Sequence, residues 1–198
     1  MTVSNNCAPA DVLTAAALVQ RRSPTLGPVR VVAIDGPSGA GKTMFAAALQ
    51  SELLVHYSRV ETVACDDFAT WDNPVAWWPE LRSAVLDPIS HGRRAHYRAI
   101  TWADGTPSPG KQRSFPQPDV LILEGVSSAR RRFAHHLTVA VWVEWGDDAA
   151  RLEAAVTRDG EQTREPLMVW QSFEHGWFPI DGTRQRCDLH TGGRSPGN

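Results

Sequence analysis

Apolar residues in this chain fall into two recurring patterns, short continuous runs and longer stretches at helical spacing. Residues 10–20 (ADVLTAAALVQ) read as a short helix, closed by Arg21-Arg22 and the Ser23-Pro24 breaker. Val29 to Ile34 is apolar except for Arg30 and rich in β-branched residues, which suits a strand buried in a parallel sheet. Residues 42–55 then place Met44, Phe45, Ala48, Leu49 and Leu53 on one helical face. Val60–Ala64 is a second short strand. A helical stretch follows over 74–87, entered at Asn73-Pro74 or restarted at Pro79, because proline is tolerated in a first turn.

The stretch from Ser90 to Pro118 is the least regular. It holds the hairpin-type signal Asp104-Gly105 and a crowd of prolines and glycines up to Gly110. Val120–Leu123 and Leu137–Val143 are strongly apolar strands, and Asp147–Arg158 is helical with an acidic start. From Thr191 the chain is rich in Gly, Ser and Pro and is expected to fray. Strands alternating with helices predict an α/β fold around a mainly parallel sheet. The whole of 1–198 reads as one domain, with 1–28 a helical N-terminal extension and 191–198 a flexible tail.

Composition adds exclusions. The chain has 198 residues, 42% of them hydrophobic, enough for a core without disulfides or a structural metal. Twenty basic residues against 22 acidic ones give a net charge of −2, so a nucleic-acid partner is not expected. No run approaches the ~18 apolar residues of a membrane span, and Met1 to Pro9 lacks the features of a signal peptide. Cys7, Cys65 and Cys187 form no CxxC pair, so a cytoplasmic protein with reduced thiols is expected. Of the 20 basic residues only Lys42 and Lys111 are lysines. There are eight tryptophans.

One of those two lysines sits in Gly36-Pro37-Ser38-Gly39-Ala40-Gly41-Lys42-Thr43, a full match to G-x-x-x-x-G-K-[ST] between a predicted strand and a predicted helix. Glycines there let backbone N–H groups approach phosphate oxygens, and the following helix turns its N-terminal dipole toward the same anion. The loop from Gly36 through Ser38, Gly39, Ala40 and Gly41 to Lys42 and Thr43 is thus an expected ATP cradle. Lys42 would reach the β- and γ-phosphates, and the Thr43 hydroxyl would ligate Mg²⁺. The apolar run Val120–Leu123 ends in Glu124, a carboxylate placed to hold the same ion. Asp66 and Asp67 follow the second strand on the same rim. Either is placed to orient an acceptor hydroxyl and take its proton, or to form a turn or helix cap.

The phosphate loop, Asp66-Asp67-Phe68, Trp71-Asp72-Asn73, the central insert and Leu123-Glu124-Gly125 together resemble the uridine kinase-like family of P-loop kinases, in its short actinobacterial-type members. The likeness runs from about Val29 to Leu189. It implies a P-loop NTPase-type three-layer sandwich with a short lid and an irregular acceptor-site insert. It also implies ATP- and Mg²⁺-dependent transfer of the γ-phosphoryl to a hydroxyl of a nucleoside-like small molecule. By position, Asp66 matches the catalytic aspartate, Asp67 stands in the acceptor site, and Glu124 serves Mg²⁺. Arg158 and Arg164 match lid arginines whose planar forks close on phosphates.

The family's Tyr-Asp-Phe segment reads Ile100-Thr101-Trp102 here, its histidine falls near Gly105, the lid between Asp159 and Pro166 is short, and the final helix after the last strand reads as missing or truncated. These departures, with the tryptophan-rich insert, motivate a second reading, an antibiotic phosphotransferase acting on a nucleoside-type or other natural product. A third, from another class, is an NTP-binding regulatory protein with slow hydrolysis, against which an intact Asp66 argues. Trp71 and Trp102 are candidates to stack on an acceptor ring. Trp142, on an apolar strand, reads as core. His135-His136 and Arg130-Arg131-Arg132 read as solvated surface.

Overall fold

The computed structural model describes residues 9–103 and 105–192; Cys7, Asp104 of the predicted hairpin turn, and most of the predicted tail lie outside them. Its centre is a five-stranded sheet of β1 (Arg30–Asp35), β2 (Val60–Ala64), β5 (Val120–Glu124), β6 (Val139–Glu144) and β7 (Leu189–Gly192). The order is β2-β5-β1-β6-β7, and every pairing is parallel. Parallel neighbours need crossovers, and these place helices on both faces. The result is the three-layer α/β sandwich.

Side chains alternate along the central strands and so feed two cores. Val32 and Ile34 with Val120, Ile122, Val139 and Val141 face α1 (Pro9–Arg21) and α2 (Lys42–Leu53). Phe45, Leu49 and Leu53 fill that layer and are fully buried, each contributing about 1.5–3 kcal/mol. Met44, expected on the same face, is exposed; the buried stripe runs through Ala46 instead. On the opposite face Val31, Leu121 and Leu123 pack beneath the segment between β2 and β5.

That segment departs most from expectation. Its helix starts at Trp78 as α3 (Trp78–Leu81) with Pro79 in the first turn. It passes through a π-helical turn, Arg82–Leu86, and ends as α4 (Asp87–Ser90). The stretch expected to be irregular is a two-stranded antiparallel hairpin, β3 (Ala95–Ala103) and β4 (Thr106–Phe115), with a register shift between Arg98 and Ile100. Tyr97 and Phe115 anchor its base in the core.

After β6 come α5 (Asp148–Asp159), capped by Asp147, a single 3₁₀ turn at Glu161–Thr163, and α6 (Arg164–Asp181). α6 has 18 residues and ends at left-handed Gly182; the helix expected to be missing or truncated would follow the last strand, β7, and so lies outside the described residues. A short α7 (Thr183–Arg186) leads into β7, so Thr191 and Gly192 pair with β6 instead of fraying. Arg130 is another correction. It is not a solvated surface arginine: it lies over the rings of Trp77, Trp78 and Trp177, 4.8–5.9 Å from their centroids, and donates to the Val75 carbonyl. Burial pushes its pKa down to about 10.

Candidate active site

Three strand ends meet on one rim. In register, Ile34 of β1 and Ala64 of β2 both face Glu124 of β5. The residues just beyond them, Asp35-Gly36 on one side and Cys65-Asp66 on the other, therefore flank Glu124. Ligands collect at this carboxyl edge in open α/β sheets.

Gly36 leaves β1 with φ 138°, and a β-carbon there would stand 2.0 Å from the Val143 carbonyl oxygen, so only glycine fits. Lys42 opens α2 and is 8% exposed. Its ammonium folds back over the loop and donates to the Gly36 and Pro37 carbonyls, each at 2.9 Å. Thr43, next along the helix, donates its hydroxyl to Glu124 Oε1 at 3.3 Å. Burial raises the Glu124 pKa; Lys42 opposes that rise and Asp66 adds to it. A hydroxyl beside a carboxylate offers hard oxygen donors that fit Mg²⁺, which takes few protein ligands and completes its shell with water and phosphate oxygens. Among the described residues no cluster of three or more His, Cys, Asp or Glu forms a separate metal cage.

Asp66 lies in a 3₁₀ turn, Cys65–Asp67, and opens onto a cavity of about 460 Å³. Ser38 of the phosphate loop lines that cavity together with Trp71, Trp102, Leu167 and Trp170. Accessible through the cavity but surrounded by protein, the Asp66 carboxyl is pushed above the ordinary aspartate pKa by desolvation. Lys42 and Arg158 oppose that rise. Arg158 also lines the cavity, its fork held by Asp159 through two 2.6 Å bonds.

A possible uridine kinase from Bacillus stearothermophilus matches with TM-score 0.61 at 15% identity, over 91% of this chain and 97% of its own. The fold is that of the uridine kinase-like P-loop kinases. A candidate fructose transport system kinase from a Silicibacter species matches at TM-score 0.56 and 16% identity, over 96% and 99% of the two chains. A D-glycerate 3-kinase from Cryptococcus neoformans matches at 0.54 and 15%, over 88% and 79%. At these identities the likeness is one of fold. No protein-family profile and no curated protein matches the chain.

Within this P-loop kinase fold the expected residues do not all converge. Gly36 to Thr43, Glu124, Asp66, Arg158, Trp71 and Trp102 gather around the cavity and its phosphate-loop end. Asp67 does not line it. Its carboxylate turns the other way, accepting from Tyr97 Oη at 2.7 Å and Arg113 Nη1 at 3.0 Å, and so fastens the hairpin to the sheet rim. Arg164 is also absent from the cavity wall. Its fork is divided between Glu153 and Glu161, which ties α6 to α5.

Three contributors lie outside the expected set. Asp35, fully buried, accepts from the Gly36, Ser127 and Ala129 N–H groups at 2.8–3.1 Å, joining the phosphate loop to the turn after β5. Burial lifts its pKa to about 6 despite those bonds and Lys42. Glu174, 2% exposed, accepts from the Ser38 amide at 2.9 Å, the Ser38 hydroxyl at 2.5 Å and Trp170 Nε1 at 2.7 Å. Trp170 is the third ring of the cavity wall. The signal for both is an acid on the apolar stripe Leu167–Trp170–Glu174 of α6; for Asp35 it is an acid ending a wholly apolar strand.

Proposed function

We propose that this chain is an ATP- and Mg²⁺-dependent kinase that transfers the γ-phosphoryl group to a hydroxyl of a small, nucleoside-like acceptor. One observation carries the reading: Asp66, with a raised pKa, lines the same cavity as Ser38 of the phosphate loop and the indoles of Trp71, Trp102 and Trp170. A nucleotide switch needs no carboxylate facing an acceptor pocket; alcohol phosphorylation needs one.

In this reading the loop N–H groups and Lys42 hold the donor's phosphates and stabilise charge as the terminal P–O bond breaks. Asp66 orients the acceptor hydroxyl and takes its proton as the new O–P bond forms. Arg158 moves from Asp159 to the phosphate oxygens. Thr43 and Glu124 would hold Mg²⁺, which when bound neutralises phosphate charge. Arg164 and Asp67 keep structural duties. Neighbours of the same fold are named for uridine, fructose and D-glycerate, so the fold is compatible with more than one acceptor and the cavity lining decides among them.

The test is incubation of the full chain with Mg·ATP and a panel of nucleosides and hydroxylated antibiotics, with products read by mass. A phosphorylated acceptor that disappears in Asp66→Asn, while nucleotide binding persists, is the expected result. Steady ATP hydrolysis with no phosphorylated product from any acceptor overturns it in favour of a regulatory NTPase.

A further inference from the structure

The acceptor end of the cavity is walled by three indoles. Trp71 meets Trp102 edge-on at 4.9 Å between centroids and Trp170 at 5.9 Å, with interplanar angles of 73° and 76°. Every indole N–H is already committed. Trp71 Nε1 donates to the Gly105 carbonyl at 2.7 Å, Trp102 Nε1 to the Asp66 carbonyl at 3.4 Å, and Trp170 Nε1 to Glu174. Leu167 and Ala69 complete the apolar lining, and the Thr163 hydroxyl donates back to Gly160. Tryptophans so engaged present ring faces and carbon edges to a guest, and no donors.

Charge points the same way. Among the described residues lining the cavity the charged groups are Asp66, Asp159 and Arg158, and the Arg158 fork is closed on Asp159. An acceptor bringing its own phosphate or carboxylate would meet one net negative charge there and find no uncommitted cation at the aromatic end.

Resting on the kinase reading, we infer that this pocket selects an uncharged ring compound by its flat face and reads little of its hydrogen-bonding edge. The expected specificity is broad among flat or flat-faced alcohols and poor toward anionic ones. A pocket that reads an edge discriminates steeply, by about 10⁴–10⁵ when a required partner is missing, because its own polar groups are left unpaired. A pocket that offers only faces does not, since every base and many sugars present a face suited to stacking.

The experiment measures binding directly, by tryptophan fluorescence and calorimetry on the full chain loaded with Mg²⁺ and a non-hydrolysable ATP analogue. The probes are uridine and cytidine, which share a face and differ in edge; uridine 5′-monophosphate, which adds charge to the same face; and phenyl β-D-glucoside, a ring acceptor that is no nucleoside. Uridine and cytidine should bind within about tenfold of each other, and the monophosphate at least about tenfold more weakly than uridine. Trp102→Ala, on the half-exposed hairpin, should weaken all uncharged probes together by roughly ten- to hundredfold, the worth of one stacking face. Binding of the nucleotide analogue to the same variant reports that it is folded. Discrimination of a hundredfold or more between uridine and cytidine overturns the inference. So does preference for the monophosphate, or failure of every uncharged probe to bind. If uncharged probes bind as described but none is phosphorylated with Mg·ATP, the kinase reading falls and the pocket's selectivity stands.

Discussion

The two ends of the cavity are built on opposite principles. On the phosphate-loop side the polar side chains are held by specific partners: Lys42 on two loop carbonyls, Thr43 on Glu124, Ser38 on Glu174, and Asp35 beneath three amides. At the aromatic end the walls are ring faces whose polar atoms point elsewhere. Phosphoryl transfer asks for this division. The donor's reactive group is always the same anion, so fixed dipoles can be aimed at it in advance. An acceptor held mainly by area can vary, provided one carboxylate meets its hydroxyl. Asp66 is where the two designs touch.

The sharpest way to break the contrast is at the donor end. Lys42→Ala should lower ATP turnover by about 10³-fold, since a single charge-stabilising donor is worth 10²–10³ and this one is a full cation. Retained turnover would remove the phosphate loop from the mechanism. Asp66→Asn should lower transfer by about 10²-fold or more with analogue binding intact. The Asp66 pKa is raised, so the base is lost to protonation at a higher pH than an ordinary aspartate would be. In the wild type, kcat/KM should fall as pH drops through that raised value, and Asp66→Asn should flatten the acidic limb. A limb unchanged in the variant would assign it to another carboxylate, of which Asp35 with a pKa of about 6 is the first candidate.

Arg158 and Arg164 divide the lid question. Arg158 lines the cavity, whereas Arg164 is occupied by Glu153 and Glu161. Arg158→Ala should lower transfer by about tenfold to a hundredfold, the scale of one positioned phosphate contact. Arg164→Ala should cost less. Equal losses from the two, measured in the same assay, would mean that α5 and α6 rearrange during turnover to bring Arg164 in.

What was legible follows the same divide. The donor end could be read because its chemistry dictates four residue types within eight consecutive positions, and because apolar strands advertise the carboxylates that end them. The hairpin was harder. Ala95, Tyr97 and Ala99 alternate with exposed His96 and Arg98, a period of two, but alanine carries little hydrophobic signal, and the prolines of β4 read as breakers. Proline is acceptable there because a two-stranded hairpin has an outer edge with no partner to serve. Arg130 was masked by Arg131 and Arg132, and only the packing of Trp77, Trp78 and Trp177 separates it from them. Glu174 meets Ser38 across 136 residues of sequence, a distance no local pattern spans.

That contact is a test of how the ends are joined. Glu174 alone accepts from both Ser38 and Trp170, so it links the phosphate loop to the acceptor wall. Glu174→Ala would strand buried donors, each costing about 1–3 kcal/mol, for a loss of about 3 kcal/mol overall. At roughly 2–4 °C per kcal/mol for a chain of this size, Tm should fall by about 6–12 °C. Glu174→Gln keeps an acceptor oxygen and should recover at least half of that. A wild-type melting curve for Glu174→Ala would mean that the link contributes nothing to the folded state.

The smallest expected effect belongs to the residue beside the proposed base. Asp67 is 16% exposed at its side chain and joined to Tyr97 and Arg113, so it holds the hairpin in place and does not line the cavity. Burial and the Asp67 bond both push the Tyr97 pKa up, so the phenol stays a donor throughout the working range. Asp67→Asn keeps one acceptor oxygen but gives up the ionic component to a partly exposed arginine, a loss of about 1–2 kcal/mol. Tm should fall by only about 2–8 °C. Its effect on transfer should be at least about tenfold smaller than that of Asp66→Asn, because the proton-accepting group is untouched. Two adjacent aspartates would then separate cleanly, one by rate and one by melting temperature. An Asp67→Asn variant that melts like the wild type yet loses transfer as badly as Asp66→Asn would reverse the assignment and make Asp67 the base.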